Sequence, residues 1–220
     1  NVQEYKEKGF TPKVILNYLS LLGWNPDSEK EIFDQNELIN SFQFKQVQKK
    51  SAVFDEKKLL WVSQQHLSEM SVRDLMNEIY TLNPEWGDGL EWDYLKEVVK
   101  LIKDRSKTIT EITSMSEIFF KDKLEYDIDL LNKTFNDKSI AIIKDFQSAL
   151  STIEDWSRVE IEKIFEDIME QHEVAIGQVM KPVRVAISGI PFGPGIFDLI
   201  LLLGKEICQI RLRHALSVIQ

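Results

Sequence analysis

The sequence predicts an all-α protein. Apolar residues recur with helical spacing through most of the chain, and helix-capping residues precede several of these stretches. No run of strands at hairpin spacing and no internal repeat interrupts them. The 220 residues suffice for one large domain or two modest ones, and 43% hydrophobic with 29% charged residues is typical of a folded protein.

The N-terminal part contains two predicted helix starts. Thr11 is an N-cap residue, and Pro12 suits the first helical position. The apolar stripe that follows is Ile15, Tyr18, Leu19 and Leu22. Ser28 and Glu31 have the spacing of a capping box, which predicts a short helix through Ile32.

The later part of the chain repeats the helical pattern, and a capping box formed by Ser157 and Glu160 opens one of its helices. The predicted stripes are Leu95, Val98, Val99 and Ile102; Ile140, Ile143, Phe146, Leu150 and Ile153; Ile161, Ile164, Phe165 and Ile168; and Phe197, Leu201, Gly204 and Ile207. Residues 183–187 alternate as a strand would, but Pro182 suits a first helical turn equally well. We predict a helix there that ends at Gly189.

Turn-rich segments suggest the internal divisions of the chain. Residues 83–89 and 190–195 are rich in glycine and proline and predict loops between helices. We predict divisions near residues 68 and 146, which gives three parts: 1–68, 69–146 and 147–220.

The charge is unevenly distributed along the chain. The formal net charge is −9, which on its own argues against a nucleic-acid partner. Residues 109–170 contain 15 acidic and 7 basic side chains, whereas residues 171–220 contain 5 basic and 3 acidic ones. Phosphate attraction is local and screened over roughly 10 Å. For nucleic-acid binding, the mildly basic C-terminal part therefore matters more than the net charge of the whole chain.

Other features narrow the class of protein. The single cysteine, Cys208, excludes an intramolecular disulfide and suits a reducing, cytoplasmic compartment. The most apolar stretch, residues 196–203, is too short to cross a bilayer, so we expect no membrane partner. Residue 1 is Asn, and we expect the chain to begin partway through a longer protein. The three histidines are too scattered for a metal site, and we find no catalytic triad, phosphate-binding loop or zinc motif.

Four segments carry a resemblance to a known family. They are residues 9–24 (Gly-Phe-Thr-Pro, then Leu-Asn-Tyr-Leu and Leu-Gly-Trp), residues 52–61 (Ala-Val-Phe-Asp, then Lys-Leu and Trp), residues 104–108 (Asp-Arg-Ser-Lys-Thr) and residues 182–206 (from Pro-Val-Arg-Val-Ala-Ile-Ser-Gly to Leu-Gly-Lys-Glu). In this order they resemble the part of bacterial-type glutamyl-tRNA synthetases that follows the catalytic fold. The resemblance implies a helical stem-contact domain over residues 1–68. It also implies an all-helical anticodon-binding region with two subdomains, 69–146 and 147–220.

The same resemblance implies what the chain does. It implies recognition of the anticodon and inner arm of glutamate tRNA, for the ligation of glutamate to that tRNA in translation. The parent enzyme would use ATP and Mg²⁺. The chain has neither the family's Lys-x-Ser-Lys loop nor its ATP motif, so we expect it to bind no cofactor and to be inactive alone. We further expect a cytoplasmic monomer that does not bind DNA.

Arg105 is the predicted reader of the anticodon. Glutamate and glutamine anticodons differ in their third base, cytosine against guanine. The pairing edge of cytosine presents two adjacent acceptors, and that of guanine presents two donors, so a guanidinium favours cytosine. In the family that this sequence resembles, the arginine that matches Arg105 reads this base. A discriminating enzyme, which charges only the glutamate tRNA, requires such a reader. The alternative is an arginine that complements a helix C-terminus or pairs with a nearby acid.

Three further sites follow from the resemblance. Arg184 matches an arginine at the anticodon-loop surface, with a structural ion pair as the alternative. The loop Gly193, Pro194, Gly195 and Ile196 matches a segment used against the anticodon bases, although Gly193 lacks the hydroxyl that some members have. Lys58, within the cluster Lys49, Lys50, Lys57 and Lys58, matches a family position and suits the sugar-phosphate backbone. A solvated lysine-rich surface is the alternative.

Two other functions stay open at this point. The chain could be a structural or protein-interaction bundle without RNA binding, which the negative net charge favours. It could also belong to a non-discriminating enzyme that charges glutamine tRNA as well.

Overall fold

The computed structural model describes residues 1–26, 29–48 and 53–219. All named elements in these residues are helical, and an isolated bridge between Trp24 and Val47 is their one extended pairing. The all-α prediction is therefore confirmed. The chain divides into two compact units, Asn1–Ser116 and Glu117–Gln220. The three-part division near residues 68 and 146 stays a prediction.

The N-terminal unit is built of short and medium helices. Those described are α1 (Val2–Glu7), α2 (Pro12–Gly23), α3 (Gln35–Ser41), α4 (Glu56–Glu69), α5 (Val72–Leu82), α6 (Trp92–Ile102) and α7 (Ile109–Ser116), with 3-10 helices at Phe44–Gln46 and Lys103–Arg105. The C-terminal unit begins with a 3-10 helix, Glu117–Phe119. Its α-helices are α8 (Ile128–Thr134), α9 (Asp137–Thr152), α10 (Arg158–His172), α11 (Ile176–Ser188) and α12 (Ile196–Ile219).

Helix α2 begins as predicted, and three of its four stripe residues, Ile15, Tyr18 and Leu22, pack in the core. The Thr11 hydroxyl accepts from the backbone N–H of Val14, and Pro12 is the first helical residue. Val14 and Tyr18 are buried in a core with residues of α4, whereas the side chain of Leu19 is 52% exposed. The prediction that Leu19 belongs to the stripe is wrong, because Val14 is buried on the side of α2 that faces α4 and Leu19 lies outside this core.

The second predicted helix start lies partly outside the described residues. Ser28 is not described, and Glu31 and Ile32 are not helical. The helix begins later, because Asp34 forms the capping box with Glu37 in α3. The predicted helix through Ile32 is therefore wrong.

The stripes of the longer helices are mostly confirmed. Four residues of α6 are buried at the predicted positions, as are four of α10, where the Ser157 hydroxyl accepts from Glu160 N–H. The buried face of α9 also includes Ile142, while Ile140 is half-buried. In the last helix, the half-buried Phe197, Leu201 and Ile207 flank the buried face instead of forming it.

Helix α11 confirms the helical interpretation of residues 183–187, and it ends at Gly189 in a left-handed conformation. Pro182, however, lies inside this helix and not in its first turn. The alternating pattern resembled a strand because α11 packs against α9, α10 and α12 and is therefore buried on most sides.

The first residues of the chain are joined to α7 by a close backbone approach. The N–H of Ile109 donates to the carbonyl of Gly9 at 2.9 Å, and the Thr110 hydroxyl donates to the carbonyl of Lys8 at 2.8 Å. Gly9 has a φ of 81°, and a Cβ there would lie 2.5 Å from the backbone nitrogen of Thr110. Only glycine fits this position without a shift of backbone.

Two observations complete the fold. Helix α12 is kinked at Gly204, whose φ and ψ of 78° and 164° are not helical. None of the helices in the described part of the chain is both long enough and apolar enough to span a lipid bilayer.

Candidate functional site

Arg184 and the loop between α11 and α12 form one site. The Nη1 of Arg184 donates to the carbonyl oxygen of Pro194 at 2.7 Å. This bond joins the penultimate turn of α11 to the far end of the loop, where α12 begins. The Arg184 side chain is half-buried, and its Nη1 lies near Gly193. The two predicted sites are therefore brought together.

The near end of the loop is held by Ser188. Its hydroxyl donates toward the carbonyls of Arg184 at 2.8 Å and Ile190 at 3.1 Å, and accepts from Ile190 N–H at 3.4 Å. At the far end, a Cβ on Gly195 would lie 2.7 Å from the Asp198 carboxylate, so a side chain at Gly195 would require the Asp198 side chain to shift. The loop is held by hydrogen bonds at its two ends.

Arg105 lies on the surface of the N-terminal unit. It is the last residue of the 3-10 helix Lys103–Arg105 and is exposed. This short helix is attached to α4, because Gln64 donates to the Asp104 carbonyl at 3.1 Å and Lys103 donates to the carbonyl of Ser68 at 2.8 Å. Arg105 forms no ion pair with a carboxylate of the described residues.

The structure describes only part of the predicted lysine cluster. Lys49 and Lys50 lie outside the described residues, and Lys57 contributes its backbone N–H to the N-cap residue Asp55. The ammonium of Lys58 forms an ion pair with Glu31. Glu31 is 27 positions away in sequence, so this pairing is formed by the tertiary fold.

Arg211 is a structural residue that the sequence analysis missed. It is fully buried, and its guanidinium donates to the carbonyls of Ile118 and Lys121, and to that of Ile187 at 2.7 Å. Ile187 lies in the last turn of α11, whose carbonyls have no intrahelical partner, so the arginine complements that helix end. The available signal was its position between Cys208 and Ala215 on the buried face of α12.

Two other side chains, His172 and Cys208, have structural surroundings. The Nε2 of His172 lies 2.7 Å from Oδ2 of Asp145, which agrees with a packed histidine. Burial raises the pKa of the Cys208 thiol to about 12, so this cysteine is not a reactive thiolate at neutral pH. Across residues 1–26, 29–48 and 53–219, no group of three or more His, Cys, Asp or Glu is arranged to hold a metal ion.

Two family models match parts of this chain. Residues 61–216 match the model of a family described as "Anticodon binding domain". The chain belongs to this anticodon-binding domain family. Arg105, Arg184 and the Gly193–Ile196 loop all lie within the match, while Lys58 precedes it. Residues 1–61 match a second model, described as "tRNA synthetases class I (E and Q), catalytic domain".

Relatives of this member of the anticodon-binding domain family are glutamate–tRNA ligases. That of Desulforudis audaxviator is 36% identical over 98% of this chain and 45% of the relative. That of Flavobacterium johnsoniae is 33% identical over 98% of this chain and 43% of the relative. The chain therefore spans less than half the length of these relatives. The resemblance to glutamyl-tRNA synthetases is confirmed.

Solved structures give the same result. A glutamate tRNA ligase from Elizabethkingia meningosepticum, in complex with its amino acid, superposes with a TM-score of 0.86 at 26% identity. It is matched over 98% of this chain and 43% of its own length. The glutamate-tRNA synthetase of Elizabethkingia anophelis superposes with a TM-score of 0.80 at 26% identity, over 97% and 42% of the two chains.

Proposed function

We propose that this chain recognises glutamate tRNA within a glutamate–tRNA ligase, by contacting the anticodon and the inner arm. The observation that carries the proposal is the match of residues 61–216 to an anticodon-binding family, with the Arg184 guanidinium hydrogen-bonded to the loop inside that match. The names of the relatives supply the amino acid and the reaction.

The Arg184 site is proposed as a surface for unpaired anticodon bases. Single-stranded loops expose their base edges, which proteins read through side-chain and backbone hydrogen bonds. The Arg184–Pro194 bond holds the loop in one conformation, which lowers the entropy lost on binding. Gly193 has no side chain, so a base can approach the backbone there. Pro194, Gly195 and Ile196 would shape that surface.

Arg105 is proposed as the reader of the third anticodon base. Its exposure and the attachment of its 3-10 helix to α4 support this role, because a reader needs an accessible guanidinium on a fixed backbone. A cytosine edge would accept two hydrogen bonds from it, and a guanine edge would present donors to donors. The difference corresponds to roughly 1–3 kcal/mol.

Lys58 is proposed to contact the sugar-phosphate backbone of the inner arm. Its ammonium is partly exposed and pairs with Glu31. A phosphate would therefore bind the ammonium beside the Glu31 carboxylate or displace that carboxylate. Such a contact positions the tRNA without reading its sequence. The three-part organisation 1–68, 69–146 and 147–220 is kept as a proposal for how stem and anticodon contacts are divided along the chain.

The remaining properties belong to the proposed whole enzyme. We assign ATP and Mg²⁺ to that enzyme, and the described residues offer no donor set for the metal. We also propose that this chain alone is inactive, monomeric and cytoplasmic. Because residues 1–61 match a catalytic-domain model, the proposed inactivity needs a direct test. That test is a measurement of ATP–pyrophosphate exchange by this chain.

The test is a binding titration with labelled glutamate tRNA at two salt concentrations. We expect salt-dependent binding, because each phosphate contact releases counterions. The matched variant is Arg105→Gln, compared with wild type on tRNAs that carry cytosine or guanine as the third anticodon base. We expect the variant to lose roughly 5- to 150-fold of the preference for cytosine, which corresponds to the contact energy above.

The outcomes separate the alternatives. Absence of tRNA binding at low salt would leave a helical scaffold as the function. Binding without preference between the two bases in the wild type would indicate a non-discriminating enzyme. An unchanged preference in Arg105→Gln would remove Arg105 from the mechanism while the RNA-binding function stood.

A further inference from the structure

Phe192 is the most exposed aromatic residue of the described C-terminal unit. Its side chain is 81% exposed at the tip of the loop that joins α11 to α12. Within the described residues its ring contacts no other aromatic ring. Because the ring is so exposed, it packs against little of the protein. The protein therefore gains little stability from this ring.

The backbone on both sides of Phe192 is fixed. Pro191 precedes it, and Pro194 accepts the hydrogen bond from Arg184. Ser188 holds the residue at the start of the loop through its hydroxyl. A ring presented on such a loop needs little ordering when a ligand binds, since two prolines and three side-chain bonds already restrict the backbone.

The other apolar side chains of this loop do not extend the exposed surface. Ile190 and Pro191 are half-buried, and Pro194 and Ile196 are buried. Phe192 is thus a single projecting ring and not part of an apolar patch of the loop. A lone ring of this kind fits one flat partner better than it fits an apolar protein interface, which needs a contiguous surface.

We infer that Phe192 stacks on an unpaired base of the tRNA anticodon loop. This inference rests on the proposed function. Aromatic side chains stack on single-stranded bases regardless of their identity, since every base has a π-face. The neighbouring guanidinium of Arg184 attracts the phosphates on either side of such a base. Phe192 then supplies affinity, while the hydrogen-bonding groups of the loop supply selectivity.

The experiment compares four forms of the full chain in titrations with glutamate tRNA. Phe192→Leu keeps apolar area but removes the aromatic face, and Phe192→Trp keeps that face. Val159→Ala, in α10, is the control for loss of an exposed apolar side chain, because Val159 is 72% exposed. Phe192 is on the surface, so we expect all four forms to unfold at the same temperature.

We expect Phe192→Leu to weaken binding by about 5- to 150-fold, the loss typical of one stacked base. Phe192→Trp should stay within about twofold of wild type, as should Val159→Ala, because stacking depends on the aromatic face. In tRNAs with 2-aminopurine replacing one anticodon-loop base at a time, wild type should quench the fluorescence at one position. Phe192→Leu should not.

Two negative results have different meanings. If wild type does not bind the tRNA, the proposed function fails and the stacking role fails with it. If wild type binds and Phe192→Leu binds equally well, with unchanged 2-aminopurine quenching, only the stacking role is overturned.

Discussion

The two compact units each bury a large polar side chain, and they do so in opposite ways. The N-terminal unit buries the neutral amide of Asn17, and the C-terminal unit buries the charged guanidinium of Arg211. Asn17 accepts from the Phe33 N–H at 3.0 Å and donates to the Glu31 carbonyl at 3.0 Å. Arg211 instead donates to carbonyls from two different segments. Both side chains hydrogen-bond to backbone groups that have no partner in a regular helix.

The difference lies in how each network responds to its surroundings. Asn17 also accepts a hydrogen bond from the half-buried His66, whose pKa is lowered from 6.5, mainly by burial. Arg211 keeps its charge throughout the physiological range. The N-terminal network is therefore pH-sensitive, and the C-terminal network, which supports the loop-bearing helix α11, is not.

Replacement of Arg211 should have the largest effect. Arg211→Met keeps much of the stem but leaves several buried carbonyls without a donor, so we expect the free energy of unfolding to fall by roughly 3–5 kcal/mol. Urea denaturation measures this loss. Arg213→Met, two residues away and exposed, is the matched control and should change stability by less than about 0.5 kcal/mol. Equal effects of the two variants would deny Arg211 its structural role.

Replacement of Asn17 should have an intermediate effect. Asn17→Ala removes the partners of the Phe33 N–H and the Glu31 carbonyl, and we expect a loss of about 1–3 kcal/mol in the same measurement. Asn77→Ala, at an exposed position of α5, is the control and should be nearly neutral. A neutral Asn17→Ala would show that water satisfies these groups as well as the amide does.

The pH dependence should be the smallest effect. Burial is the main cause that lowers the pKa of His66 from 6.5, with Lys13 lowering it further and Glu69 opposing. The folded state therefore binds a proton less readily than the unfolded state. The contribution of His66 to the free energy of unfolding is therefore fully present above pH 6.5 and is lost as the pH falls below that value. We expect the melting temperature to fall between about pH 7.5 and 5.5, less steeply in His66→Gln. Parallel curves for the two proteins would exclude His66 as the cause.

Local signals in the sequence predicted the helices well. Thr11 with Pro12, Ser157 with Glu160, and Gly189 mark helix ends because their effect depends only on neighbouring residues. The failures depend on the tertiary fold. Leu19 has the spacing of a buried residue, but α4 packs against the side of α2 that carries Val14.

The same distinction between local and tertiary contacts applies to the candidate site. Arg184, in the helix before the loop, and Pro194, at the far end of the loop, are ten positions apart, so their proximity follows from chain connectivity. The pairing of Lys58 with Glu31, and the burial of Arg211 among carbonyls from residues 118–122, depend on segments distant in sequence. No spacing rule predicts such contacts.

The close approach at Gly9 limits how the chain can be divided or recombined. The two family matches meet at residue 61, inside α4, yet residues 8 and 9 hydrogen-bond to residues 109 and 110 within one compact unit. A hybrid chain joined at residue 61 would keep this contact only where the foreign first segment also carries glycine at the position of Gly9, because any other residue there meets the backbone of Thr110. A joint at residue 61 would thus fall inside one compact unit, and exchange of residues 61–216 alone would require the incoming segment to fit residues 8 and 9 of the original chain.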